Sequence, residues 1–429
     1  MNYEQGLLYL EQIQNQGIKF GLDNVRILLS ALGKPHESIP SVVVAGTNGK
    51  GSVCAMLSRI LTLHGFRTGL YTSPHLVRVE ERIRINGRPI SKRDFSRALT
   101  LVRDRIESLI NAGRLISPPT YFEILTCLAL FHFQTREVDM AVLEVGMGGR
   151  YDATNVVRPV LSVITTISLE HQSYLGDTTA RIAFEKAGII KPKIPVVCSV
   201  EDEAAVAVIR ARALELGAPF HPTLGRSRNL KNLRRGRAFY YTTDSETYTV
   251  NPALRGLHQG KNAAAVITAA ECLSGRWRPL SKPLIVKGIE TVRWPGRMEV
   301  VSRDPLVLID GAHNPEGAEM FRDYARIHAP SPRILVFAVM RDKDIPTLAD
   351  ILFPLADKIV LTRFPYYRAA DPRDIQKQAS RYRSRIILEP DVSRAVASAQ
   401  KLAGKNGSVL VAGSLFLVGE MKKHFSPAA

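Results

Sequence analysis

The stretch Ser41-Val-Val-Val-Ala-Gly46-Thr47-Asn48-Gly49-Lys50-Gly51-Ser52 runs from a β-branched segment through a glycine-rich turn into an apolar helix, expected over 53–63. Such a turn is a phosphate cradle. Glycines let backbone N–H groups converge on phosphate oxygens, and a helix N-terminus adds positive potential. Lys50 adds a mobile charge, and a hydroxyl from Thr47 or Ser52 can meet phosphate or Mg2+. The pattern departs from the usual P-loop, with a shorter spacing from Gly46 to Lys50 and with Gly51 between the lysine and the serine. A strand-to-helix turn without phosphate duty is the alternative, and the lysine inside the turn counts against it.

A chain of 429 residues is too long for one small core, which predicts two or three domains. Hydrophobic residues make up 45%, as in globular proteins. Met1-Asn-Tyr-Glu-Gln5 lacks a basic run followed by an apolar segment, and no apolar stretch is long enough to span a bilayer. A cytoplasmic protein is expected. Cys54, Cys127, Cys198 and Cys272 are far apart in apolar surroundings, so buried free thiols are expected rather than disulfides or zinc. The formal charge of +18 admits nucleic acid, an acidic membrane or an anionic substrate. No nucleic-acid-binding motif accompanies it, although residues 226–237 are locally basic.

Outward from the cradle, residues 2–32 read as two short helices broken at 17–23, with apolar spacing at Val25, Leu28, Leu29 and Leu32. A second strand over 68–72 ends in Ser73-Pro74-His75-Leu76, at the strand end where open α/β sheets bind ligands. Residues 80–89 suggest a strand and turn, followed by a helix opened by Ser91 and another over 121–134. Strands over 138–145 and 160–167 end near Glu144 and Glu170-His171, and a helix over 178–190 carries Glu185-Lys186. Residues 239–250 alternate as a hairpin, and a helix follows over 261–273. After Trp294-Pro295-Gly296-Arg297 the alternation restarts, with strands near 306–310, 333–339, 358–362, 385–388 and 408–412. These patterns predict an α/β fold: a phosphate-loop domain over 1–296 with a mostly parallel, doubly wound sheet, and a smaller C-terminal α/β domain over 297–429.

Ser73, Glu144, Asp152, Glu170 and His171 all fall at predicted strand ends, so they could converge beside the cradle as a set of mostly hard ligands for Mg2+. Read singly, Ser73 also suits a turn cap, Glu144 half of a salt bridge, and His171 an ordinary loop position. Several ordered motifs go further. Gly46-Thr-Asn-Gly-Lys-Gly-Ser52, Thr72-Ser-Pro-His-Leu76, Leu143-Glu-Val-Gly-Met-Gly-Gly-Arg150, Asp152-Ala-Thr-Asn155, Glu185-Lys-Ala-Gly188, His258-Gln259 with Asn262, Pro295-Gly-Arg297, Asp310-Gly-Ala-His-Asn-Pro315 and Gly413-Ser-Leu-Phe416 occur in this order. The chain resembles, across nearly its whole length, the folylpolyglutamate synthase and bifunctional dihydrofolate synthase family, the folate branch of the Mur ligases.

The resemblance implies an ATP-dependent amide ligase acting on folate, and also on dihydropteroate, with L-glutamate as the amine. A carboxylate takes the γ-phosphoryl group, glutamate attacks the acyl phosphate, and two closing domains exclude water. It implies that Asn48, Gly49, Lys50, Gly51 and Ser52 hold the triphosphate, with Asn262, Arg297 and Asp310 as further ATP contacts. Ser73, Glu144 and His171 match the magnesium ligands, and Lys186 matches a lysine that is carbamylated in the superfamily. A carbamate would be an anionic ligand where a bare ammonium would repel Mg2+. The other reading of Lys186 is a helix-surface lysine paired with Glu185. Thr120, Tyr121, Phe122, Glu123, Tyr151, Asp152 and Ala153 match segments near the pterin, and His313 and Ser414 match glutamate-site positions. Tyr121 and Phe122 could stack on a pterin, or be core residues at a helix start. The same resemblance implies a monomer with small-molecule substrates and no nucleic-acid or membrane partner. Another Mur-type ligase acting on a different carboxylate is the alternative. The short segment before the cradle strand and the Thr-Ser-Pro-His-Leu loop favour the folate branch.

Overall fold

Val42, Val43 and Val44 suit a strand buried on both faces, and the computed structural model, which describes residues 1–14, 21–224, 229–232 and 238–425, places Ser41–Ala45 as a fully buried strand. Residues 17–20 of the predicted break at 17–23, and most of the basic segment 226–237, lie outside the described residues.

Two compact units are formed: one by residues 1–74, 79–253 and 260–292, the other by 75–78, 254–259 and 293–429. The first is built on an eight-stranded sheet. Its strands are β1 (Ser41–Ala45), β2 (Thr68–Tyr71), β3 (Ile83–Ile85), β4 (Arg88–Pro89), β5 (Met140–Glu144), β6 (Leu161–Ile164), β7 (Val196–Cys198) and β8 (Phe220–Pro222). Their order is β4-β3-β2-β5-β1-β6-β7-β8, and every pairing from β2 to β8 is parallel. The chain leaves β1 towards β2, then crosses to the other side of β1 with β6. The C-terminal end of β1 is therefore the switch point, where the flanking connections part and leave a crevice.

Local signals set the helices around this sheet. Ser91 caps Lys92–Asn111 by accepting from Asp94 N, and Thr120 and Glu123 form a capping box at the start of Tyr121–Thr135. Thr178 caps Thr179–Lys186. A small antiparallel sheet adds β9 (Asn229–Asn232), β10 (Phe239–Thr242) and β11 (Thr247–Val250), and the last two are the predicted hairpin.

The second unit has a six-stranded sheet of β12 (Glu299–Arg303), β13 (Leu306–Ile309), β14 (Arg333–Phe337), β15 (Lys358–Leu361), β16 (Ile386–Leu388) and β17 (Ser408–Ala412). The order is β12-β13-β17-β14-β15-β16, with only β12 antiparallel. The strand β17 inserts between β13 and β14, so the ends of β13 and β17 lie side by side. Cys54, Cys127 and Cys198 are buried free thiols as expected, and Cys272 is half-buried. Among the described residues no helix is long and apolar enough to cross a membrane.

Candidate active site

The cradle begins where β1 ends. Gly46 lies at φ +148° and Gly49 at φ +85°, and side chains on either would collide with neighbours. A Cβ on Gly46 would stand 1.8 Å from Thr165 Oγ1, and one on Gly49 2.4 Å from Asn262 Oδ1. Residues just beyond β6 brace the loop: Thr166 O accepts from Thr47 N at 2.7 Å, Thr166 Oγ1 from Asn48 N at 3.0 Å, and Thr165 Oγ1 donates to Asn48 O at 2.6 Å. The helix Lys50–Leu63 starts three residues earlier than the apolar periodicity predicts, at an N-cap glycine that supplies no side-chain cap. Its first N–H groups are therefore presented as an anion site. Lys50 Nζ folds back to donate to Gly46 O at 2.7 Å and Thr47 O at 2.9 Å. Thr47 Oγ1 is taken up by Ser168, donating to its carbonyl at 3.2 Å and accepting from its N–H at 3.1 Å, while Ser52 is buried in the first turn.

Lys186 is not a surface residue. It is 1% exposed, and its Nζ donates to Gly46 O at 2.8 Å and to Glu170 Oε1 at 2.7 Å. Pairing with Glu185 is thereby corrected. Glu185 is the next residue on the helix and turns away, to 3.8 Å from Arg150 Nε. Burial pushes the Lys186 ammonium down, Glu170 opposes the fall and Lys50 adds to it, leaving Lys186 at about 8. Burial would raise Glu170, but the charges of Lys186 and Lys50 outweigh it and hold the carboxyl at about 2.

Glu144 ends β5 almost fully buried, and its Oε2 accepts from Ser73 N at 3.1 Å, so these two predicted ligands are neighbours. His171 opens the short helix Gln172–Leu175 at φ +47°. Among the described residues no group of three or more His, Cys, Asp and Glu side chains could hold a metal alone. Asp152 folds the loop after β5, accepting from Gly146 N at 2.9 Å, Met147 N at 3.1 Å and Thr154 N at 3.0 Å. Ala153 is buried beside it, and Tyr151 is half-exposed. Thr120 and Glu123 are occupied in their capping box. Tyr121 lies under Arg82, whose guanidinium carbon is 5.3 Å from the ring centroid, and Phe122 meets Tyr71 at 5.9 Å between centroids. Both are half-buried, so neither is a core residue outright.

The C-terminal unit gathers its own group at the ends of β13 and β17. Buried Asp310 accepts from Met298 N and Ala312 N, each at 2.8 Å, and Gly311 passes close to Arg297 Nη1. Burial pushes the Asp310 carboxyl up, and Arg297 opposes this. His313 Nδ1 lies 2.7 Å from Gly311 O, and Ser414 Oγ accepts from Phe416 N at 3.1 Å. Three participants escaped the sequence reading: Glu170 as the partner of Lys186, the Thr165-Thr166 brace, and Arg82, only 7% exposed yet set in an alternating strand-like run. The threonine pair at a strand end facing the cradle was the available signal for the brace.

A glycine cradle at the switch point of a doubly wound parallel sheet, with a lysine–carboxylate pair buried against its first carbonyl, defines a phosphate-loop nucleotide-binding protein. Residues 44–270 match the Mur ligase middle domain, and 296–415 the Mur ligase glutamate ligase domain. The dihydrofolate synthase/folylpolyglutamate synthase of Bacillus subtilis (strain 168) is 35% identical over 413 residues, 95% of each chain. Folylpolyglutamate synthase of Lacticaseibacillus casei is 34% identical over 85% of this chain and 86% of its own. Among solved structures, Mycobacterium tuberculosis folylpolyglutamate synthase complexed with ADP and AMPPCP superposes with a TM-score of 0.91, at 29% identity over the whole of both chains. The Escherichia coli FolC complex with DHPP and ADP gives 0.88, at 29% identity over 99% of this chain and 97% of that one. The chain belongs to the Mur ligase family of ATP-dependent ligases, within its folylpolyglutamate synthase/dihydrofolate synthase group.

Proposed function

We propose that this ligase adds L-glutamate to the terminal carboxylate of folates, and also to dihydropteroate. The observation that carries the chemistry is the contact of Lys186 with Gly46 O, which brings this buried side chain to the cradle carbonyl that Lys50 already holds. A substrate carboxylate oxygen attacks the γ-phosphorus of ATP, the bond to the bridging oxygen breaks, and ADP leaves. The glutamate amine then attacks the acyl carbon, phosphate departs with the C–O bond, and the amine's proton is lost. The uncapped N–H groups at Lys50 bind the triphosphate, and Lys50 offsets charge that builds up at the transferred group. Asn262, whose Oδ1 lies against Gly49, is assigned to the nucleoside side, and Arg297 and Asp310 are assigned as further nucleotide contacts. His313 and Ser414 are assigned to glutamate.

Mg2+ suits the donors at Glu144 and Ser73, because this ion takes one or two protein oxygens and completes its shell with phosphate and water. His171 would be a third ligand, and when bound the ion would neutralise phosphate charge. Lys186 is our candidate for carbamylation, supported by a pKa of about 8 that leaves a share of neutral amine at neutral pH. Tyr121 and Phe122 are assigned to the pterin face, with Thr120, Glu123, Tyr151, Asp152 and Ala153 shaping that pocket. We place the enzyme in the cytoplasm as a monomer, and free buried thiols support the compartment. The test is ATP- and glutamate-dependent phosphate release with dihydropteroate or tetrahydrofolate as acceptor, the product mass being read for each added glutamate. Turnover of both substrates supports the bifunctional reading, and turnover of tetrahydrofolate alone restricts it to polyglutamylation. Release with neither overturns it in favour of another carboxylate.

A further inference from the structure

A helix leaves its last carbonyls without intrahelical partners, and where they are buried something else must meet them. Beyond Thr179–Lys186 the chain makes a tight turn, Ala187–Ile189, and three carbonyls across this end are capped from outside. Arg150 N donates to Glu185 O at 2.9 Å, Asn155 Nδ2 to Gly188 O at 3.1 Å, and Ser162 Oγ to Ile189 O at 3.0 Å. The same Asn155 amide also donates to Arg150 O at 2.9 Å. One buried NH2 group thus ties the glycine loop after β5 to the helix end that carries Lys186. The two backbones cross with no side chain between them. A Cβ on Gly149 would lie 2.9 Å from both Glu185 O and Lys186 O, and one on Gly188 2.5 Å from Arg150 Cα.

We propose that Asn155, a motif residue with no role in the chemistry above, is a positioning residue that sets how deeply Lys186 reaches towards Gly46. The lysine stem has a fixed length, so where its Cα packs limits how far Nζ can reach towards Gly46 O. Without the Asn155 amide, Arg150 O and Gly188 O both lose a donor, and the helix end is free to draw back from the loop. The inference rests on the reading of Lys186 as a group at the transfer site.

The test compares Asn155→Ala, Asn155→Asp, Asn155→Ser and Lys186→Ala with wild type by melting temperature and by steady-state phosphate release. Ser408→Ala is the control, since it deletes a buried hydroxyl-to-carbonyl bond of the same kind, 2.7 Å to Pro330 O, in the C-terminal unit. Asp keeps the size of Asn155 and lacks its two donors; Ser keeps one donor and is the mildest change. Positioning predicts that kcat of the folded enzyme falls on the order of 100-fold in the Ala and Asp variants, with KM for ATP within about threefold and Ser between them and wild type. Ser408→Ala should lose melting temperature only. Wild-type kcat in all three Asn155 variants, beside an inactive Lys186→Ala, would overturn the positioning role while leaving the function intact. An active Lys186→Ala would overturn the reading of Lys186 and this inference with it.

Discussion

Gly49→Ala is a perturbation whose size can be worked from two local facts. The residue sits at φ +85°, where an L side chain costs about 1–2 kcal/mol. Its new Cβ would also stand 2.4 Å from Asn262 Oδ1 and 3.3 Å from Asn262 Cγ, so the amide must move. Asn262 is 5% exposed and already engaged, which leaves it no route to solvent. Prising a buried amide from its partners costs about 1–3 kcal/mol. The two terms together give about 2–5 kcal/mol, a large share of a typical folding free energy. In an Asn262→Ala background the second term vanishes and only the backbone term remains. Denaturant unfolding of the four proteins should therefore show a coupling of about 1–3 kcal/mol, and calorimetry should show nucleotide affinity reduced about tenfold or more in Gly49→Ala. Strict additivity within about 0.5 kcal/mol would refute the close approach, and with it the argument for placing Asn262 at the nucleotide.

The remaining predictions concern other parts of the two units. Glu170 is held at about 2 against an ordinary 4.5, so its contribution is complete above pH 4.5 and is lost as pH falls towards 2. Glu170→Gln should therefore flatten the acid limb of stability against pH, and at neutral pH it should cost on the order of 3 kcal/mol by leaving Lys186 buried without its carboxylate. An unchanged acid limb would contradict the pairing. Phe122→Ala removes a half-buried ring from Tyr71 and Gly146 and should destabilise by about 2–3 kcal/mol. A parallel rise in KM for the pteroate substrate supports stacking, whereas unchanged affinity makes the ring a packing residue. Asp310→Asn keeps one of two acceptor oxygens, so Met298 N or Ala312 N loses its partner, and hydrogen exchange at one of these amides should accelerate.

Much of the parallel framework was legible because its signals are local. A β-branched run, a glycine turn and an apolar helix are contiguous at 41–63, and Ser91, Thr120 and Thr178 announce their helices as caps within three residues. The edge strand β12 was not legible, since its residues are half-exposed and show no clean alternation. Nor was the grouping of 75–78 and 254–259 with the C-terminal unit, because a boundary drawn along the chain has no means of assigning short excursions. The site shows the same division. Individual reactive residues are marked by motifs, but their partners are chosen by the sheet. Lys186 ignores the carboxylate beside it in sequence and pairs with Glu170, 16 residues upstream, because the helix turns position 186 inward and position 185 out towards Arg150. Once inward, an ammonium needs a carboxylate and an acceptor within reach, and the strand ends of β6 and β1 supply Glu170 and Gly46 O. The pairing that gives Lys186 its chemistry is therefore a property of strand order, with β6 beside β1. A change that shifted this crossing would disarm the lysine without touching any residue of its motif.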